Sequence, residues 1–278
     1  MKYMFVNWSR DNKPKAFNNQ VSMSIDHFKT IDSTYFDHCL ALDDTKEKTD
    51  TIFAKISREF AKRRLAKPEN SQLLRDLVDD LMKYKPHVNR GTKCDSVNTG
   101  YRIMGFHPDR ISADNREYAF NPGVTEEKKK EIEENTNHIV QHLQGSLRSI
   151  NPFIQYHRSV MMQVVKNTTL DVIGDHAPAF SVGVNYHSRC HIDDDMYFTM
   201  ATVIAPSTDH DDKIIYYFTF PTFAIKVPLR SGDSLLFNPA LPHSCSNPKY
   251  KNLCIMSAYV SKRTVLRSQE KNKQTKSI

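Results

Sequence analysis

The sequence predicts an α+β fold in which helices come first and a β-sandwich or barrel follows. Three observations predict it. Amphipathic helical spacing is confined to the first 150 residues, short β-branched and aromatic runs fill the stretch from about 159 to 261, and turn residues separate those runs. With 278 residues and 39% hydrophobic content, the chain can bury a sizeable core.

The elements follow in order. Ile52, Phe53, Ile56 and Phe60 share one face of a helix, as do Leu73, Leu74, Leu77, Val78, Leu81 and Met82, with Asn70 or Ser71 as cap and Pro86 as stop. Residues 87–123 are rich in Asn, Gly, Pro and Asp and lack periodicity. They read as an extended connection, so 1–123 is expected to be a helical N-terminal region with that connection at its end. A third helix starts after Thr125 as N-cap, with Glu126 and Glu127 in the first turn where the helix dipole favours them. Its apolar stripe, Ile132, Ile139, Leu143, Leu147 and Ile150, needs a sheet to lie on. Strands are expected at 160–165, 179–186, 196–204, 214–220, 222–227, 233–237 and 253–261. The supporting helix and this sheet make up 124–262. The segment 263–278 reads as a basic, disordered tail.

Composition excludes several functions. Eight glycines supply neither Gly-x-Gly-x-x-Gly nor a Lys-Ser/Thr phosphate loop, which removes a Rossmann dehydrogenase and a P-loop nucleotidase. Met1 to Lys15 lacks the apolar run of a signal peptide, and no segment nears the ~18 apolar residues of a membrane span. A cytoplasmic or nuclear location without membrane contact is expected. Five cysteines with no Cys-x-x-Cys pair read as reduced thiols.

The formal net charge is +7. Six Lys/Arg from Lys262 onward stand against Glu270, a net of +5, and residues 83–102 carry five Lys/Arg against Asp95, a net of +4. These two segments could each grip the phosphates of DNA or RNA, whereas 179–261 has a net of −1. A solvated surface is the plainer account of the 83–102 charges. The oligomeric state has no signature in the sequence.

The chemistry sits in the β-rich half. Asn185-Tyr-His-Ser-Arg-Cys-His191-Ile-Asp193 is followed by Gly232-Asp-Ser-Leu-Leu-Phe-Asn-Pro-Ala-Leu-Pro-His243. Residues two apart on a strand share a face, so His191 and Asp193 can offer a nitrogen and a carboxylate to one point. His243 is the candidate third ligand. Two histidines and a carboxylate on one face of an octahedral ion leave three positions open, the arrangement of non-haem Fe(II) oxygenases. By contrast, His138 and His142 on the third helix lack a third ligand and read as surface histidines. Cys190 and Cys245 read as buried fillers, and Asp194 and Asp195 as solvent-facing. Asn185 and Tyr197 would lie near the metal, as second-layer packing or substrate contacts.

These motifs resemble the Fe(II)/2-oxoglutarate dioxygenase superfamily, over roughly residues 155–262. In that superfamily the His-x-Asp follows the second core strand and the distal His opens the seventh. The run from Gly232 to His243 looks most like uncharacterised microalgal proteins, themselves distantly similar to methylpyrimidine dioxygenases of the ten-eleven-translocation and base-J type. The resemblance implies a double-stranded β-helix (jelly-roll) core with flanking N-terminal helices. It also implies a dioxygenase or hydroxylase using Fe(II) and 2-oxoglutarate, with a nucleic-acid base as a substrate to consider. One departure concerns the cosubstrate. The family's Arg or Lys on the last strand is replaced by Leu253, ten residues after His243. Lys226, Lys251, Lys262 and the hydroxyl of Tyr259 are the candidates to hold the cosubstrate, with Lys213, Lys249 and Arg230 nearby. A related algal enzyme type that uses ascorbate shows that ascorbate is the alternative. A non-catalytic β-helix that binds nucleic acid or protein is the alternative to an enzyme.

Overall fold

Strand pairing organises the protein. The computed structural model describes residues 2–7, 29–30, 38–43, 51–57, 100–108, 115–117, 125–131, 134, 152–166, 168–173, 176–205, 213–246 and 248–276. From the first 123 residues come β1 (Lys2–Asn7), β2 (Lys29–Thr30), β3 (His38–Asp43), β4 (Thr51–Ser57), β5 (Gly100–Pro108) and β6 (Asn115–Glu117). Helix α1 (Pro152–Val165) precedes β7 (Ala179–Val184), β8 (Ser188–His191), β9 (Thr199–Ile204), β10 (Tyr216–Phe220) and β11 (Ile225–Leu229). Then follow β12 (Ser234–Phe237), β13 (His243–Cys245), β14 (Cys254–Tyr259) and helix α2 (Lys262–Lys276).

The nine-stranded sheet has the order β1-β3-β4-β12-β9-β14-β7-β5-β6 and the five-stranded sheet β2-β11-β10-β13-β8. Pairing is antiparallel except for β1 with β3 and β2 with β11. From β7 to β14 the chain crosses between two groups of four, β12-β9-β14-β7 and β11-β10-β13-β8, at every step except the β10–β11 hairpin. Side-chain alternation then splits the core in two. Ala201, Val203, Leu235 and Ile255 meet Phe218, Phe220, Ile225 and Val227 between the sheets. On the other face of the large sheet, Phe180, Val182, Met200, Leu236 and Met256 pack with Met161, Val165 and Val265 of the helices. Gly232, at φ 85, makes the turn between β11 and β12, where the Asp233 carboxylate accepts the Arg230 N–H at 2.8 Å. The Gly-Asp pair of the motif is therefore a turn device.

Several expectations are corrected. The described part of 1–123 consists of strands rather than helices. Residues 51–57 form β4 because Ala54 and Ile56 are buried with period two, and because β3 and β12 supply partners on either side. The expected helix at 73–82 lies outside the described residues, as does most of 87–123 apart from β5 and β6. Helix begins at 126 as expected, with the Thr125 hydroxyl accepting the Lys128 N–H at 3.2 Å. All five residues of its apolar stripe lie outside the described residues. The run 160–165 belongs to α1, where Pro152 suits the first turn and His157, Met161 and Val165 are buried at helical spacing. The tail is no disordered segment. In α2, Thr264, Val265 and Ser268 are buried at helical spacing, and the Ser268 hydroxyl accepts the Thr169 N–H at 2.7 Å.

One buried pair sets a pH limit on this packing. His157 Nε2 lies 3.2 Å from the Phe198 carbonyl and its Nδ1 lies 3.3 Å from His176 Nε2. Burial lowers the His157 pKa from 6.5 to about 4, against the smaller opposing effect of the Phe198 carbonyl. A pKa below its unfolded value means the unfolded chain takes up the proton first. Stability from this group is then full above pH 6.5 and is lost as pH falls toward 4, by about 3 kcal/mol. Urea denaturation across that window should show the loss, and a His157→Phe/His176→Leu variant should show a shallower slope. An unchanged slope would exclude the pair as its source.

Candidate metal centre

The fold itself sets the two histidines against each other. His191 is the last residue of β8, His243 is the first of β13, and the antiparallel register places them directly opposite. Two residues further on, the register shifts, so that Cys245 pairs with Ser188 across a bulge. The rings meet with centroids 4.4 Å apart.

Main-chain carbonyls fix which nitrogen each ring presents. His191 Nδ1 lies 2.7 Å from the Arg189 carbonyl and His243 Nδ1 lies 2.8 Å from that of Leu241. A carbonyl can only accept, so each Nδ1 carries a proton, and the neutral ring then has its lone pair on Nε2. Both Nε2 atoms face Asp193 Oδ2, at 3.7 Å from His191 and 3.3 Å from His243. The potential ligand atoms of the three residues all lie within 4.8 Å of one another. Asp193 is placed by its own N–H, which donates to the Pro239 carbonyl at 2.9 Å. The turn at Asn238–Pro242 thus serves two of the three residues, through Pro239 for Asp193 and through Leu241 for His243.

Burial is uneven around this point. His243 is 2% exposed and packs against a pair of touching rings, Phe218, stacked at 5.5 Å, and Phe237, tilted at 4.9 Å, whose own centroids are 4.6 Å apart. The Asp193 side chain is 42% exposed. One side is therefore walled by aromatic rings and the other is open. Two neutral imidazole nitrogens and one carboxylate oxygen fit a divalent first-row ion with positions left on the open side. Asp195, half-buried beside Asp193, has its carboxyl pushed up to about 7, first by desolvation and then by the charge of Asp193. The Thr199 hydroxyl donates to it at 3.0 Å and opposes that push. Asp195 is therefore not the solvent-facing residue expected; Asp194 is exposed.

The cosubstrate candidates separate. Ile255 faces the space between the sheets, so alternation turns Ser257 and Tyr259 of β14 the same way. Lys226 pairs in register with Thr219, and Thr219 with Ser244, which puts Lys226 on the face opposite the neighbouring His243. Its ammonium lies 5.6 Å from the centre of the Tyr217 ring, and Lys249 lies 4.9 Å from the same ring. Lys251 is exposed in the turn before β14, and Lys262 is exposed as the first residue of α2. Arg230 is buried at the β11–β12 turn. Asn185 and Tyr197 have left-handed backbones, φ 54 and φ 59, and neither is hydrogen-bonded to the triad. Cys190 and Cys245 are buried and form no disulfide. Sequence reasoning missed the parts played by Phe218, Phe237 and the three carbonyls. Nothing in residue identity marks a carbonyl as a positioning group.

No family model matches the chain, and no curated protein matches it either. Similar solved structures include NgTET1 in complex with 5mC DNA, at 12% identity and TM-score 0.48 over 90% of this chain and 88% of that one. A Pseudomonas putida prolyl-4-hydroxylase is similar at 11% identity and TM-score 0.33, over 69% and 88% of the two chains. OsALKBH1 is similar at 14% identity and TM-score 0.38, over 75% and 97%. None of these supports a nearer kinship to microalgal proteins. Likeness at this level fixes neither chemistry nor substrate, which have to be read from the site itself.

Anaerobic titration should find one Fe(II) bound per chain. His191→Ala, Asp193→Ala and His243→Ala should each weaken binding by about 100-fold or more while circular dichroism stays unchanged. Full affinity in the His243→Ala chain would remove the third ligand.

Proposed function

We propose that the protein is a non-haem Fe(II)-dependent dioxygenase or hydroxylase built on a double-stranded β-helix. The observation that carries this is the convergence of two Nε2 lone pairs and one carboxylate at the open end of a two-sheet sandwich. The crossing of β7 to β14 between two four-stranded groups, at every step but the β10–β11 hairpin, supports the β-helix. Among the described residues, no helix is long and apolar enough to cross a membrane.

His191, Asp193 and His243 would hold the ion and leave open positions for oxygen and a cosubstrate. Fe(II) bound there supplies oxygen activation for attack on a C–H bond. The chain's own groups do the rest. Phe218 and Phe237 keep water from the His243 side, while the Arg189 and Leu241 carbonyls hold the imidazole protons on Nδ1. The Pro239 carbonyl holds the backbone of Asp193 at the mouth.

The cosubstrate would lie against the inner face of β7, β14 and β9. Tyr259 pairs with Ala179 and Ser257 with Ser181, and Thr199 and Ala201 continue that face on β9. Ser257 is partly exposed although β14 is a central strand with its other residues buried, so solvent reaches this face. The face offers hydroxyls and small side chains, and β14 carries no Lys or Arg. Tyr259 is the candidate that this geometry favours over Lys226, Lys251 and Lys262. A hydroxyl-lined face without a strand cation can orient the carboxylates of 2-oxoglutarate, the cosubstrate proposed first. It equally suits ascorbate, the second reading.

Oxygen uptake by the Fe(II)-loaded chain should depend on one of these two cosubstrates, and Tyr259→Phe should raise the concentration needed by about tenfold. Formation of succinate assigns 2-oxoglutarate. Uptake with ascorbate alone assigns the second reading, and no uptake with either rejects the enzyme.

A further inference from the structure

The basic segment from Lys262 to Lys276 is a helix joined to the residues that follow Asp193. Helix α2 carries Lys262, Arg263, Arg267, Lys271, Lys273 and Lys276 against Glu270, a net of +5, while residues 179–261 have a net of −1. Its inward face is used up by Thr264, Val265 and Ser268. Lys262, Arg263, Lys271 and Lys273 are exposed, and Arg263, Arg267 and Lys271 follow at intervals of four along one side. The cations from Lys262 to Lys273 span roughly 16 Å of helix.

The start of that helix is bound to the segment that carries the carboxylate ligand. The Lys262 N–H donates to the Asp194 carbonyl at 2.8 Å, and the Met196 N–H donates to the Val260 carbonyl at 2.8 Å. Asp195 and Ser261 form a β-bridge between these donors. The same segment presents Ile192, 64% exposed, and Tyr197, 59% exposed with its backbone held in the left-handed region. An aromatic ring exposed on a strained backbone next to a row of cations suits unstacked bases on a charged backbone.

We propose that α2 binds the phosphate backbone of a nucleic acid and leads the strand to the metal centre, with Tyr197 and Ile192 contacting bases at its mouth. This rests on the oxygenase reading for the destination of the strand, though not for its binding to α2. A polyanion of high linear charge density fits a row of cations spaced along a helix. A lipid surface fits less well. Membrane-lying helices bind through a free apolar face, and here that face is buried in the core with Leu266 as the exposed apolar residue.

The test uses the full chain and labelled 20-nucleotide single-stranded and duplex oligonucleotides, with binding followed by anisotropy at several salt concentrations. Binding should fall steeply with salt. Arg263→Glu/Lys271→Glu/Lys273→Glu should weaken it at least tenfold and flatten the salt dependence by about 0.7 or more per lost phosphate contact, with Fe(II) content unchanged. A control of equal charge change, Lys128→Glu/Lys130→Glu/Lys129→Glu on the helix starting at 126, should bind as the native chain does. The metal-free Asp193→Ala chain should also bind normally, so loss of the oxygenase reading and loss of this one are told apart. Equal weakening in the control, unchanged binding in the α2 variant, or binding only to anionic vesicles would each overturn the proposal.

Discussion

The register between β8 and β13 is the constraint on which the site depends. Because side chains alternate along a strand, a slip of one residue would turn either His191 or His243 to the outer face and dissolve the triad. The β8 strand is four residues long and lies at the edge of its sheet, so its own hydrogen bonds are few. Register is held instead by local detail. The Ser188 hydroxyl accepts the Cys245 N–H at 3.0 Å, the Pro239 carbonyl takes the Asp193 N–H, and Phe218 and Phe237 together pack against His243 from its walled side. The first joins β8 to β13, the second ties Asp193, just beyond β8, to the turn after β12, and the ring contacts join β13 to the packed space between the sheets.

The outer layer serves the same point from the other direction. Val265 and Val165 pack on the far face of the large sheet, so α2 cannot leave without exposing core. Its first residue is joined through Asp194 and Asp195 to the segment that follows Asp193. Removing the basic end would therefore disturb the metal centre as well as the charge. The N-terminal strands extend the sheets at their margins, β4 beside β12 and β5 beside β7. In that way residues distant in sequence cover edges that would otherwise offer unpaired main-chain groups.

How much was legible in the sequence differs by element. Strands β7, β9, β10, β11, β12 and β14 announce themselves through β-branched and aromatic runs. The three ligand candidates were legible from His-x-Asp and from the Pro-His after an Asn-Pro turn, and the structure brings them together. Strands β8 and β13 were not, since Ser-Arg-Cys-His and His-Ser-Cys have no alternation and gain their conformation from pairing with each other and with β10. Val160 to Val165 looked like a strand because β-branched residues favour one, yet burial of His157, Met161 and Val165 follows a helical stripe. The basic end looked disordered because polarity hides a narrow face of Thr264, Val265 and Ser268. For Ile52 to Ile56, the chosen period was wrong, and a partner strand nearly two hundred residues away decided the outcome.

The central claim is that three protein atoms, and no more, hold an ion at the open end of the sandwich. The most direct measurement is a crystal structure of the chain loaded with Fe(II) under nitrogen. The account predicts a single ion bonded to His191 Nε2, His243 Nε2 and an Asp193 carboxylate oxygen, with solvent at its remaining positions. An ion bound elsewhere, or one whose coordination is closed by a further side chain such as Asp195, would contradict it.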